Sequence, residues 1–327
     1  MAKLWRPAVS RPADLWQDAG VTVSLAKDPR FLAHDQGPGH PECPERLRAI
    51  ERALEDLRAP HWITPRAATR EELLSVHTPA YVDRLELVRG RSVDLDPDTR
   101  TSPGSVEAAF LAAGTTIDLA AQVATGAAPP GLALVRPPGH HALPGAAMGF
   151  CLLNNVAIAA RALLDRGLAE RVAIYDWDVH HGNGTQAMFY EDPRVFYAST
   201  HQWPFYPGTG GRDERGRGAG EGSTFNAPLP AGSGDELLLS VTQEALAPAI
   251  RNFAPDVILI SAGFDPFVDD PLGGFTVTAW GFRELAARWR GLAEEVCGGR
   301  IAGVLEGGYD LRGLGACVRG LVDAWDT

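Results

Sequence analysis

Six short apolar runs, each closed by a polar, glycine-rich or aromatic loop, constrain this chain more than any other feature. They are Val21–Leu25, Leu132–Val135, Val172–Tyr175, Val195–Ser199, Val257–Ile260 and Ile301–Leu305. Short apolar runs of this kind read as buried strands. Helical patterns lie between them, over Glu45–Leu57, Ser105–Ala124, Asn155–Arg166, Gly234–Phe253 and Val277–Val296. Strand and helix in alternation mean an α/β fold, a parallel sheet covered by helices on both faces. The unusual polar residues fall just after the strands: His140, His141, Asp176, Asp178, His180, His201, Asp265 and Tyr309. Such a set converges on the carboxyl rim of the sheet, where open α/β sheets bind ligands.

Composition narrows the class. A length of 327 residues allows two domains. The chemistry-bearing loops, however, run from 136 to 309 and interleave with the strands, so we expect an N-terminal arm over 1–20 and a single domain over 21–327. No run of about 18 apolar residues is visible, so no membrane span is expected. Met1-Ala2-Lys3-Leu4-Trp5-Arg6-Pro7 lacks the apolar core of a signal peptide. The four cysteines, Cys43, Cys151, Cys297 and Cys317, show no paired metal-type spacing and suit a reducing, cytoplasmic setting. A net charge of −11 argues against nucleic acid as a partner and mildly favours cationic substrates through steering, although most of it suits a solvated surface.

The densest cluster is Asp176-Trp177-Asp178-Val179-His180-His181-Gly182-Asn183-Gly184. Charges beside an apolar strand are costly unless paired or bound to a metal. Asp178 and His180 supply one oxygen and one nitrogen ligand from same-side positions, which suits a divalent ion such as zinc. Asp265, in the loop after Val257–Ile260, is the best third ligand; taken alone it reads equally as a helix N-cap. Three protein ligands with an open position are the catalytic arrangement. His140 and His141 follow two prolines and a glycine, a stiff turn that directs both rings toward general acid–base work. Asp176 and Asn183 are natural partners for those rings: the aspartate keeps one histidine charged, and the asparagine leaves the other a better base. Tyr309, after two glycines, is placed to donate to a developing oxyanion. Phe150 and Tyr206 wall a narrow channel or are ordinary packing. Asp98 anchors substrate backbone at the rim or is a turn residue. Residues 210–224 read as a mobile loop that either borders the site or is a solvated connection.

The chain resembles the zinc-dependent histone deacetylase family, in its class II-like, bacterial amidohydrolase branch. The resemblance runs from Gly39-His40-Pro41-Glu42-Cys43-Pro44-Glu45-Arg46-Leu47, through Arg136-Pro137-Pro138-Gly139-His140-His141, Gly149-Phe150-Cys151, Asp176 to Gly184 and Ser261-Ala262-Gly263-Phe264-Asp265, to Leu305-Glu306-Gly307-Gly308-Tyr309. It implies an arginase/deacetylase-like fold, a single parallel sheet of about eight strands. It implies one catalytic Zn²⁺ on Asp178, His180 and Asp265, a catalytic pair His140 and His141, and Tyr309 as oxyanion donor. Asp176 and Asn183 orient the two histidines, Asn183 marking the class II-like branch. Gly149, Phe150, Tyr206, Leu272 and Asp98 line the substrate channel, the Tyr206 position usually being phenylalanine. A structural K⁺ or Na⁺ is implied at Asp176, Asp178, His180, Ser199 and Thr200, and a second near Phe189, Asp192, Val195 and Phe225.

The implied reaction is removal of acetyl or another short acyl group from acyl-lysine. The alternatives are acetylpolyamines or other small acylated amines, and a catalytically retired acyl-lysine binding module. The retired module predicts loss of Tyr309 or a histidine, and all are present. A binuclear ureohydrolase needs further carboxylates where this chain has Gly182 and Phe267. Leu272 stands where a polyamine specialist carries a gatekeeper glutamate.

Overall fold

The computed structural model describes residues 22–326; the expected arm over 1–20 and Val21 lie outside them. In chain order the elements are β1 (Ser24–Ala26), α1 (Glu45–Ala53), β2 (His61–Trp62), α2 (Arg70–Leu74), α3 (Pro79–Leu87), β3 (Asp94–Asp96), β4 (Thr99–Arg100), α4 (Ser105–Thr125), β5 (Gly131–Ala133), α5 (Asn155–Asp165), β6 (Val172–Asp176), α6 (Asn183–Phe189), β7 (Val195–Gln202), β8 (Thr224–Leu229), α7 (Asp235–Val241), α8 (Ala247–Phe253), β9 (Val257–Ala262), α9 (Ala279–Cys297), β10 (Ile301–Leu305) and α10 (Leu311–Trp325). Eight strands form one sheet in the order β2-β1-β5-β10-β9-β6-β7-β8, every pair parallel. The strands β5, β6, β9 and β10 are buried at every position, because helices cover both faces.

Chain direction divides the helices between the faces. From β2 to β8 the chain crosses the sheet one way, and from β8 to β10 it returns. With right-handed crossovers, α4, α5 and α6 fall on one face and α1, α7, α8, α9 and α10 on the other. The contacts agree: α4 packs on α5, α10 packs on α9 and on α1.

Several elements differ from the sequence expectations. The edge strand β8 carries Asn226 and Pro228 and reads as loop; an edge strand tolerates proline because one row of its backbone groups needs no partner. The pattern over Gly234–Phe253 is two α-helices joined by a π-helical turn at Thr242–Leu246. Pro248 has no N–H to complete the regular ladder there. Helix α10 contains Gly313, Gly315 and Gly320, which weaken its sequence signal; a Cβ at Gly320 would meet Arg283 Cβ at 3.2 Å, so the glycine allows α9 and α10 to approach. Helix α4 corrects one expectation: it is long and apolar enough to cross a bilayer by length and composition. Its apolar window is 72% buried, packed against α5, β5 and β10, as a core helix would be.

Candidate active site

Strands β9 and β6 are neighbours whose following connections leave in opposite directions, toward β10 and toward β7. That divergence opens a crevice at their carboxyl ends, the topological switch point of the sheet. The last residue of β6, Asp176, and the loop after it, with Asp178 and His180, reach into it, and the loop after β9 brings Asp265. The loops after β5 and β10, on the same side, supply His140, His141 and Tyr309. The rim convergence expected from the sequence is therefore present for these residues.

His180 Nδ1 lies 3.1 Å from Asp178 Oδ1 and 3.1 Å from Asp265 Oδ2. The other oxygen of each carboxylate is held by backbone: Gly307 N–H donates to Asp178 Oδ2 at 2.9 Å, and Val179 N–H donates to Asp265 Oδ1 at 2.9 Å. Gly307 has to be glycine, because a Cβ there would sit 2.2 Å from Asp265 Oδ2. Asp178 and Asp265 are fully buried, and no lysine or arginine pairs with either among the described residues. Burial and the Asp178 charge push Asp265 up to about 7, while the two carboxylates, working against burial, hold His180 up at about 10. Buried carboxylates that share one imidazole have an unmet demand for positive charge. The two nitrogen–oxygen separations of 3.1 Å also match the edge of about 3.3 Å in a tetrahedron of Zn–N/O bonds near 2.0 Å, and all three donor atoms lie within 4.8 Å of one another. The three residues thus could hold a metal ion, and their side chains fit one.

The two histidines stand with ring centroids 4.0 Å apart in unlike surroundings. His140 Nδ1 meets Asp176 Oδ2 at 3.0 Å. Burial opposes a cation there, but Asp178 and Asp176 outweigh it and hold His140 well above its usual range. His141 Nδ1 meets Asn183 Oδ1 at 2.7 Å. Burial, followed by the charges of His140 and His180, holds His141 well below its usual range. Asn183 Nδ2 donates to the Met148 thioether at 3.4 Å. Sulfur only accepts, which turns the amide oxygen to His141 and assigns the proton to His141 Nδ1, leaving Nε2 free.

Aromatic rings surround this floor. Tyr206 lies edge-on to His141 at 5.2 Å and to His180 at 6.1 Å. Phe150 lies edge-on to Tyr309 at 5.9 Å. Phe150 has φ +68, a strained conformation for a bulky residue, stabilised as its N–H donates to Thr99 Oγ1 at 2.9 Å. Gly149, with φ +55, lies against His141, where a Cβ would meet Cδ2 at 2.4 Å. The β3–β4 hairpin sets Asp98 beside this turn, and Thr99 Oγ1 donates to its carboxylate at 3.0 Å. Asp98 is thus a turn residue that also stands near Phe150. Leu272 is half-buried in the loop that follows β9. Burial keeps the Tyr309 phenol well above its usual pKa, with Arg46 opposing and Asp265 and Asp178 assisting.

Some of what supports the site was not singled out in the sequence. Phe205, not only Tyr206, faces the carboxylate–histidine cluster: its ring stacks on His180 at 5.3 Å and 17°. Glu42 is fully buried and takes bonds from Arg136 Nη2 at 2.7 Å and Arg46 Nη1 at 3.2 Å. Burial would push Glu42 up, yet Arg136 and His34 hold it well below its usual range. Arg46 also donates to Gly308 O at 2.7 Å and lies 5.0 Å from the Tyr309 ring. Glu306 accepts from Gly139 N–H at 2.6 Å and His140 N–H at 3.1 Å, and burial pushes it up to about 7. The available signal was a charged residue set among prolines, glycines and apolar neighbours in each motif, a setting that calls for a buried partner.

Other expected positions lie elsewhere. His201 is fully buried behind the channel, bonded to Ser199 Oγ at 2.9 Å and to Gly210 O at 3.0 Å. It braces the loop that carries Phe205 and Tyr206. The 210–224 segment is not a loose connection: Glu214 accepts from Gly210 and Gly211 N–H, both at 2.8 Å, and β8 starts at Thr224. Asp176 and Ser199 pair across β6 and β7, and Thr200 Oγ1 meets the Tyr175 hydroxyl at 2.9 Å. A cleft of about 1020 Å³ lies behind Asn183 and Met148, on the far side of His141's partner.

A parallel sheet of this order with a carboxylate–histidine cluster at its switch point defines the arginase/deacetylase type of α/β fold. A family model described as the histone deacetylase domain matches residues 40–325. A probable deacetylase of Archaeoglobus fulgidus is 44% identical over 288 residues, which are 86% of this chain and 80% of that protein. The chloroplastic histone deacetylase 10 of Oryza sativa is 40% identical over 334 residues, covering 96% of this chain and 74% of that protein. The solved structure of the HDA15 HD domain matches with a TM-score of 0.88 at 39% identity, covering 94% of this chain and 90% of that one. The chain belongs to the histone deacetylase family and is a hydrolase of that family.

Proposed function

We propose that the chain is a zinc-dependent deacetylase that removes acetyl or another short acyl group from the side-chain amine of acyl-lysine. The observation that carries this reading is the convergence of Asp178 and Asp265 oxygens on His180 Nδ1, each at 3.1 Å, beside two histidines of opposite proton affinity. Zinc held by these three residues would supply Lewis-acid polarisation of the amide carbonyl and acidification of water.

The remaining work falls to the chain. His141 accepts the proton of the attacking water at Nε2, because its environment keeps it neutral and its Nδ1–H is committed to Asn183. His140, kept cationic by Asp176 and Asp178, adds positive charge beside the developing tetrahedral centre. The proton held on a histidine then passes to the leaving amine. The Tyr309 hydroxyl, kept protonated by burial, donates to the carbonyl oxygen as charge grows there. Phe150 and Tyr206 exclude water around an aliphatic stem, and Asp98 receives the substrate backbone N–H at the mouth. A structural K⁺ or Na⁺ at Asp176, Asp178, His180, Ser199 and Thr200 belongs to the same reading, as does a cytoplasmic setting for its four unpaired thiols; a rise in Tm with added K⁺ over an organic cation checks the former.

Leu272 supports acyl-lysine over acetylpolyamine, since an apolar rim selects weakly for a second amine. The deciding experiment is turnover of an acetyl-lysine peptide by native, chelated and zinc-reloaded protein, with Asp178→Ala as control. Chelation and Asp178→Ala should each abolish turnover, and zinc should restore it only in the native chain. Full turnover by metal-free protein overturns the proposal.

A further inference from the structure

Tyr309 lies in a segment that has little stiffness of its own. Strand β10 ends at Leu305, Gly307 and Gly308 follow, and Gly308 has φ +118. Glycines of this kind leave a backbone many conformations. Helix α10 begins only at Leu311, and the Asp310 carboxylate is committed to capping it, accepting from Gly313 N–H at 2.6 Å. A group that donates to a developing oxyanion has to be held to within a fraction of an ångström.

Asp270 provides the hold. It is 7% exposed, whereas its neighbour Asp269 is open to solvent. Its Oδ2 accepts from the backbone N–H of Tyr309 at 2.6 Å and of Asp310 at 3.1 Å. Its Oδ1 accepts from Leu272 N–H at 2.9 Å, which fixes the carboxylate within its own loop after β9. Arg46 grips the same segment as well, through Gly308 O and the Tyr309 ring. Tyr309 is thus fixed at its own N–H and at the carbonyl one residue before it.

We propose that Asp270 is the positioning residue for Tyr309: it holds the backbone that carries the phenol and so sets the phenol's approach to the reacting carbonyl. The proposal rests on the reading of Tyr309 as the oxyanion donor. An acidic residue near the start of α10 also stabilises the helix, so the test has to separate positioning from simple stability.

The experiment is a double-mutant cycle in the zinc-loaded full chain, with Asp270→Asn and Tyr309→Phe, read as kcat and KM on an acetyl-lysine peptide. Zinc content per chain and Tm are measured alongside. The asparagine is isosteric, but its amide nitrogen has to face at least one N–H. The expected result in the tyrosine background is a fall in kcat of about ten- to a hundredfold, with KM within about threefold and zinc content unchanged. In the Tyr309→Phe background the same change should alter kcat by less than about twofold, because nothing remains to be positioned. An equal loss in both backgrounds, or a loss below about threefold in the first, overturns the positioning role and leaves the deacetylase reading intact. A Tyr309→Phe loss below about fivefold instead sinks the donor reading of Tyr309, and this proposal with it. Should Asp270→Asn not fold, Asp270→Glu retains the charge on a longer arm, and the same cycle with the same outcomes applies.

Discussion

Replacing Asn183 with aspartate tests the division of labour between the two histidines. The Asn183 oxygen lies 2.7 Å from His141 Nδ1, and His141 is 4% exposed. Burial first, then the charges of His140 and His180, keep His141 well below its usual pKa, so it is neutral at neutral pH. A carboxylate at that distance favours the imidazolium and raises the pKa of a partner by about 1–3 units, equivalent to about 1.4–4 kcal/mol. Asn183 also lines the solvent cleft, which lets water screen the new charge and places the expected shift at about 1–2 units. The sign follows directly. A base that holds its proton to higher pH becomes active only at higher pH, so the acid limb of kcat/KM should move up by that amount. The assay is a pH–rate profile on an acetyl-lysine peptide at constant ionic strength with zinc saturating, and Tm checks the fold. An acid limb unmoved within about 0.3 unit, or displaced downward, would refute the assignment of His141 as the neutral base.

Three further outcomes follow from the same geometry. Asp176→Asn removes one of the two carboxylates that hold His140 well above its usual range against burial, so its pKa falls and the alkaline limb of kcat should move down by about 1 unit or more; an unmoved limb counts against a cationic His140 in the rate. Gly307→Ala puts a methyl 2.2 Å from Asp265 Oδ2, so zinc affinity should weaken about 10–100-fold in a competitive chelator titration while circular dichroism stays unchanged; wild-type affinity would show that the carboxylate pair tolerates displacement. Leu272→Glu should shift the ratio of kcat/KM toward N-acetylputrescine over acetyl-lysine peptide by about tenfold, roughly 1.4 kcal/mol, and a constant ratio would mean that this position does not select at the rim.

Sequence alone carried the apolar runs, their alternation with helices and the polar residues stationed after them. These are local properties: a strand buried on both faces must be apolar, and glycine, proline and histidine announce a functional loop wherever it folds. Hence β5, β6, β7, β9 and β10, and the residues Asp178, His180, Asp265, His140, His141 and Tyr309, were legible. Tertiary structure decided what no local pattern encodes. Strand β8 exists because an edge position accepts Pro228, and α10 because its glycines let α9 approach. The neighbouring of β6 and β9, 81 residues apart from Asp176 to Val257, brings Asp265 to His180. Phe205 became the ring on His180 only when the loop closed over it. Asp270 became the anchor of Tyr309, and Glu42 the counter-charge of Arg46 and Arg136, through contacts between distant segments. A buried charge is defined by its partner, and the partner is set by the fold rather than by the neighbouring sequence.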